Sequence, residues 1–364
     1  MNPTPLASEI YRPAPLAGPV LLRALTLGLR LLPPELAHHL ALAALALAGR
    51  VHLGRLLLPR LLPPPPPMPL QLGDLMFINR VGLAAGYDKN AVALEGLALL
   101  GFGHIEVGTI TPQPQPGNQK PRVFRRLRQG ALINRMGFPS LGAAVVARRL
   151  QRYRLGHPLG TPPLLAVNIG KNKQTPLAEA ASDYALAATQ LAPYADLLVI
   201  NVSSPNTPEL RALQTPEHLA RILQATRVAA RTAAGRDLPV WVKLAPDLDC
   251  DDLSIIVKQL CADGLVLTNT TVARPTELDR GDQAGGLSGW PLAQRALAVQ
   301  SQVINQGCNL PVIASGGVVG PVQAVERLRG GASLVQLWTG LVLRGPALIG
   351  LVGRALADVE GQHD

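Results

Sequence analysis

The chain has 364 residues, 48% of them apolar and 3% aromatic, with a formal net charge of +10. That length fits one large barrel with an appendage or two domains, and Leu and Ala supply enough apolar side chain for a large core. Cys250, Cys261 and Cys308 have no CxxC spacing and the seven histidines form no HExxH-like set, so neither a disulfide framework nor a metal site is expected; the excess Arg lacks the basic-aromatic interleaving of a nucleic-acid binder and leaves an anionic substrate or an anionic lipid surface as partner.

Residues 1–62 carry six Arg, no Lys and two acids, Glu9 and Glu35. Two stretches rich in Leu and Ala, Leu16–Leu32 and Glu35–Leu58, are predicted as helices, with Pro33-Pro34-Glu35 as the break between them. The longest uncharged run, Leu36–Gly49, has 14 residues, short of the roughly 20 of a membrane-spanning helix. No convincing signal peptide is present. The pair reads equally as a helical hairpin packed on the rest of the chain or as interfacial helices with Arg23, Arg30, Arg50, Arg55 and Arg60 at lipid headgroups. Pro63–Pro67 is predicted to be a stiff linker, dividing the chain into 1–67 and 68–364.

Leu70–Ile78 alternates around Gly73-Asp74, a hairpin signal, and could close the bottom of a barrel. Eight short apolar runs follow: Val81–Ala85, His104–Val107, Leu164–Val167, Leu197–Ile200, Val240–Leu244, Gly264–Leu267, Pro311–Ala314 and Leu334–Leu337. Helical patterns separate many of them, including Leu94–Leu100, Asp183–Leu191, Pro216–Ala234, Asp251–Ala262, Pro291–Ile304 and Gly320–Arg329. This alternation predicts an α/β fold, a (β/α)8 TIM barrel with a small amino-terminal helical extension. A doubly wound sheet is the alternative, disfavoured because no GxGxxG opens a strand-helix unit.

Polar residues gather where such a barrel places its chemistry, at the carboxyl ends of the strands. Asp88 and Lys89 follow strand one, Thr109 strand two, Asn168 and Lys171 strand three. Strand four runs into Asn201-Val202-Ser203-Ser204-Pro205-Asn206-Thr207-Pro208, a rigid loop with more amides and hydroxyls than a turn needs. Lys243 closes strand five, either as a Schiff-base nucleophile or as a fixed charge. Thr268, Asn269 and Thr270 close strand six; Ser315-Gly316-Gly317 and Trp338-Thr339-Gly340 follow strands seven and eight. Gly286, Gly289, Gly316, Gly317 and Gly340 are candidates for a phosphate loop. A phosphate site plus a buried cation suits FMN, and amide-rich, acid-poor surroundings suit a flat heterocycle carrying a carboxylate.

Several segments together resemble the dihydroorotate dehydrogenase family, from about residue 80 to 345. They are Leu83–Lys89, Gly108–Asn118, Ile133–Phe138, Asn168–Asn172, the Ser203–Asn206 loop, Lys243–Asp247, Thr268–Thr271 and Gly285–Gly289. Ser204 at the base position, where the soluble class 1 carries cysteine, and the helical extension make the chain most similar to the quinone-dependent class 2. The resemblance departs at Tyr87, Trp290 and Trp338, which bear on pocket shape.

The resemblance implies oxidation of dihydroorotate to orotate in pyrimidine biosynthesis, with FMN as cofactor and a membrane quinone (ubiquinone or menaquinone) as acceptor. Ser204 would take the C5 proton. Lys89, Asn134, Arg135, Met136, Gly137, Phe138, Asn201, Asn206, Asn269 and Thr270 would bind substrate. Ala85, Gly86, Tyr87, Asp88, Lys89, Thr109, Asn168, Asn201, Lys243, Thr268, Gly289, Gly317, Trp338 and Thr339 would bind FMN, with Thr207 and Phe138 shaping a water relay. His38 and Arg125 would line the quinone pocket. A monomer at the cytoplasmic face of the inner cell membrane, held peripherally to anionic lipid, is expected. Two rivals stand beside this: a soluble FMN barrel using fumarate or NAD, and a non-catalytic flavin sensor.

Overall fold

The computed structural model describes residues 16, 18–275, 278 and 283–361; Glu9, Arg12 and the rest of 1–15 lie outside the described residues. Eight parallel strands close into a barrel: Val81–Leu83, His104–Ile110, Leu164–Ile169, Leu197–Asn201, Val240–Leu244, Gly264–Leu267, Val312–Ala314 and Leu334–Leu337. Each pairs with the next, and Leu337 opposite Leu83 closes the ring. The strands are apolar runs because helices cover their outer faces, leaving no solvated side to favour alternation. The barrel class and the extension are as the sequence predicted.

The hairpin forms at Leu70–Leu72 and Leu75–Phe77. Leu75 and Phe77 join Leu164, Leu197, Trp241 and Ile313 in a cluster that plugs the amino-terminal end of the barrel. The opposite end is therefore the open one.

Outside the extension three helices escaped the sequence reading, Ala143–Arg154, Thr339–Arg344 and Leu348–Glu360. The first carries four arginines, and only Ala143, Val146, Leu150 and Tyr153 are buried on its inner face. A small antiparallel sheet was also missed: Val123–Arg126, Ala131–Asn134 and Gly286–Gly289. Gly286 and Gly289 pair with Asn134 and Ala131 across that sheet. Gly340 sits in the short helix Thr339–Arg344.

The extension is three helices where two were expected: α1 (Val20–Leu31), α2 (Pro34–Arg50) and α3 (His52–Leu61). The axes of α2 and α3 differ by 112°. Val51 is extended at the bend, and Arg55 Nε donates to Gly49 O at 2.6 Å across it. Gly54 is required there: a Cβ would lie 2.3 Å from Ala48 O. Among the described residues no single helix is long and apolar enough to cross a membrane. Leu42 and Ala46 of α2 join the main core, while Val20, Leu21, Leu25, Leu31, Leu47 and Leu53 are exposed. The proline run does not hang free: Pro65 is buried against Gly353 of helix Leu348–Glu360.

Candidate active site

One cavity of about 700 Å³ runs from the open end of the barrel to the space between α1 and α2. It brings together most of the residues singled out above. At the barrel end it is lined by Asn134, Met136, Gly137, Phe138, Asn201, Ser204, Asn206, Asn269 and Thr270. In the middle lie Ala85, Gly86, Tyr87, Asp88, Lys89, Thr109, Lys243, Thr268, Gly317, Trp338 and Thr339; His38 and Arg125 line the far end. Four predicted residues, Arg135, Gly289, Asn168 and Thr207, do not line it. The Arg135 guanidinium donates to Pro121 O and covers the Phe124 ring at 5.2 Å. Gly289 lies in the side sheet, and Asn168 points into the buried network below.

The loop after strand four is held by its own amides. Asn201 Oδ1 accepts from Ser203 N and Ser203 Oγ, and Asn269 Nδ2 donates to Ser203 Oγ at 2.9 Å. Asn201 Nδ2 donates to Thr109 Oγ1 at 2.8 Å, so strands two, four and six share one cluster. Asn206 Nδ2 reaches Asn134 Oδ1 at 3.2 Å. Arg211 clamps the loop from outside, donating to Ser203 O, Thr270 O and Asp247. Ser204 is 6% exposed, and its Oγ accepts from Asn206 N at 3.2 Å. Buried Thr207, three residues on, has a hydroxyl with no partner within the chain among the described residues.

Below the cavity lies a group the sequence reading passed over. Glu106 is fully buried in strand two and carries an ion pair with Lys243, Nζ to Oε2 3.3 Å. Its carboxylate also accepts from Asn168 Nδ2 at 2.6 Å and Gln336 Nε2 at 2.8 Å. Those bonds satisfy a charge that would otherwise be costly to bury. The signal was available: Glu106 lies two residues from His104, so both face the same side of an otherwise apolar strand. Burial holds His104 down to about 4, so it is neutral. Asn168 Oδ1 and Gln336 Oε1 are buried acceptors with no donor in the chain among the described residues.

Lys89 donates to Gly86 O, and its remaining exposure is to the cavity it lines. Burial, then the neighbouring Arg122, brings its ammonium down to about 8. Toward the helices, His38 packs edge-on against Tyr87 at 5.1 Å, and Tyr87 against Trp338 at 6.4 Å. Burial, then Lys89, lowers His38 to about 3, so it offers a neutral imidazole. Arg125 is already engaged: it donates to Leu29 O, Arg30 O and Leu32 O, closing the carboxyl end of α1 over the cavity. Arg122 pairs with Glu35 of α2 at 3.1 Å, a second tie between extension and barrel that was not foreseen.

A family profile described as Dihydroorotate dehydrogenase matches residues 69–359. The chain belongs to the dihydroorotate dehydrogenase family. It is 46% identical over 330 residues to a protein named dihydroorotate dehydrogenase (quinone) from Acidithiobacillus ferrooxidans, covering 87% of this chain and 89% of that one. Its identity to the protein of the same name from Azotobacter vinelandii is 41% over 341 residues, covering 91% and 95%. Among solved structures it is similar to DHODH from Eimeria tenella in complex with ferulenol, with a TM-score of 0.81, 36% identity, and coverage of 91% of this chain and 92% of that one. The family is flavin-dependent, and the cavity lies at the strand ends where a (β/α)8 barrel of such a family carries its chemistry.

Proposed function

We propose that the chain oxidises dihydroorotate to orotate with FMN as cofactor and a membrane quinone as acceptor. The observation that carries this reading is the single cavity joining the Ser204 loop to the gap between α1 and α2. One end is polar and amide-rich, matched to a pyrimidine; the other is walled by leucines and alanines, matched to an apolar carrier.

The residues fit a flavin on their own terms. Gln336 Oε1 is an unmatched acceptor on the cavity wall suited to a ring N–H, Asn168 Oδ1 is a second one in the Glu106 network behind it, and Lys243 is a buried cation suited to an anionic reduced ring. Ala85, Gly86, Thr109, Thr268, Gly317, Trp338 and Thr339 would hold the remainder. When bound, FMN supplies a two-electron acceptor that takes the C6 hydride of the substrate and gives the electrons to quinone. The amides of Asn134, Asn201, Asn206 and Asn269 orient the pyrimidine edges, and Lys89 pairs with its carboxylate. Ser204 Oγ takes the C5 proton. Because no His or carboxylate bonds Ser204 among the described residues, the proton is passed on through water toward the Thr207 hydroxyl.

Residues 1–67 form the quinone-facing part and 68–364 the FMN barrel. Exposed leucines on α1 and α3 and the exposed Arg23, Arg50, Arg55 and Arg60 suit peripheral attachment to anionic lipid, at the cytoplasmic face of the inner membrane, as a monomer. Ala41 of α2 lines the helix end of the cavity. An anaerobic spectrum tests both ends: dihydroorotate should bleach the flavin and quinone should restore it. In Ala41→Trp the bleaching should persist while recovery with quinone falls at least about tenfold, the size of a bulky group blocking a binding site. A protein that recovers equally fast with fumarate or NAD overturns the quinone assignment.

The Lys89 ammonium gives a pH signature. Its value is below that of an ordinary lysine, so half of the cation is already lost at about 8. Orotate affinity should be constant at lower pH and fall by up to tenfold per unit above it. A flat affinity between pH 7 and 9.5, followed by the flavin spectral shift, would remove Lys89 from the substrate carboxylate.

A further inference from the structure

Arg327 lies on helix Pro321–Arg329 and is 2% exposed. Its guanidinium donates to three neutral acceptors: Leu267 O at 2.6 Å, Gly316 O at 2.9 Å and Gln300 Oε1 at 2.5 Å. Gln300, fully buried, returns a bond from Nε2 to Arg327 O at 2.7 Å. Among the described residues no carboxylate pairs with Arg327. Burial lowers its ordinary value to about 9, which still leaves it charged at neutral pH. A buried cation with only neutral partners is costly unless an anion comes near it.

Its position supplies the direction. Leu267 ends strand six and Gly316 lies in the loop after strand seven, so one side chain fastens the two strand ends, and Gly316 and Gly317 both line the cavity. In a trans peptide the C=O and the following N–H point opposite ways. With Gly316 O turned outward onto Arg327, the Gly317 N–H faces away from it, and it has no acceptor within the chain among the described residues. Gly317 has φ +77°, and a Cβ there would lie 2.3 Å from Ala293 Cα, so this peptide is available only to glycine.

We propose that Arg327 is a positioning residue for the phosphate end of the cofactor: it aims the Gly317 N–H into the cavity and sets a buried positive charge behind it. This rests on the reading of Gly317 as part of the FMN site. The test compares FMN with riboflavin, which has the same ring and no phosphate. Dissociation constants for both are measured by flavin fluorescence on the full-length protein, wild type, Arg327→Met and Gln300→Glu. Gln300→Glu keeps the arginine and places a carboxylate against it, so it neutralises the charge even if Arg327→Met does not fold. The expected result is an FMN affinity about tenfold or more weaker in each variant, equal to ~1.4 kcal/mol, with riboflavin affinity within threefold of wild type. Equal weakening of both flavins would reduce Arg327 to packing, and unchanged FMN affinity in either variant would overturn the proposal. A wild-type protein that binds riboflavin as tightly as FMN would overturn the phosphate reading and, with it, the role given to Arg327.

Discussion

In Ser204→Ala, flavin and orotate should bind as in the wild type while flavin reduction by dihydroorotate slows by about 10²–10⁴-fold, the usual contribution of a positioned base. That corresponds to roughly 3–5 kcal/mol in the barrier. The hydroxyl is small and 6% exposed, and its only described bond is accepted from Asn206 N, so its removal leaves the loop's amide cluster intact. Ser204→Cys should recover part of the rate as pH rises, since a thiolate forms more readily than an alkoxide. Stopped-flow reduction within about threefold of wild type in the alanine variant would take the proton from some other group.

The second large effect is expected at Glu106. Glu106→Leu strands the Lys243 ammonium in a fully enclosed site, and breaking a buried pair in this way costs about 3–5 kcal/mol. A lower thermal midpoint, or no folded protein, is the expected outcome. Glu106→Gln keeps the shape and removes the negative charge. The flavin midpoint potential should then rise by about 30–60 mV, because Lys243 acts on the reduced ring uncompensated; 30 mV is ~1.4 kcal/mol for a two-electron couple. A potential within 10 mV of wild type (about 0.5 kcal/mol) would mean that the Lys243 charge is not felt at the ring.

The barrel was legible because eight apolar runs and their helices repeat a pattern that only a closed or doubly wound parallel sheet accounts for. The strand-end residues were legible for the same reason: Asn201, Lys243, Thr268 and Thr339 interrupt apolar runs at matching points. What escaped depends on partners distant in sequence. Glu106 looks like one acid in a short strand until Lys243, Asn168 and Gln336 are brought around it. Helix Ala143–Arg154 shows a mostly polar surface, and its buried stripe is narrow. The strand Gly286–Gly289 was hidden because a run of Gly-Gly-x-x-Gly does not reveal that Ala131–Asn134 will pair with it. The third helix of the extension was hidden because the bend at Val51 comes from the close approach of Gly54 to Ala48, which periodicity does not report.

The seating of the proline run has a mechanical consequence. A free linker would let the helical extension swing away and return, so that its ligand could be exchanged by opening. Here Pro65 is wedged on the carboxyl-terminal helix, Glu360 of that helix pairs with Arg80 at the foot of strand one, and Arg122 and Arg125 hold α2 and α1 from the other side. Both edges of the extension are thus tied to the barrel. A ligand between α1 and α2 would then enter past the leucines that line that end, side chains whose rotamers change faster than domains move. Those ties, and not a flexible linker, set the separation between the two ends of the cavity.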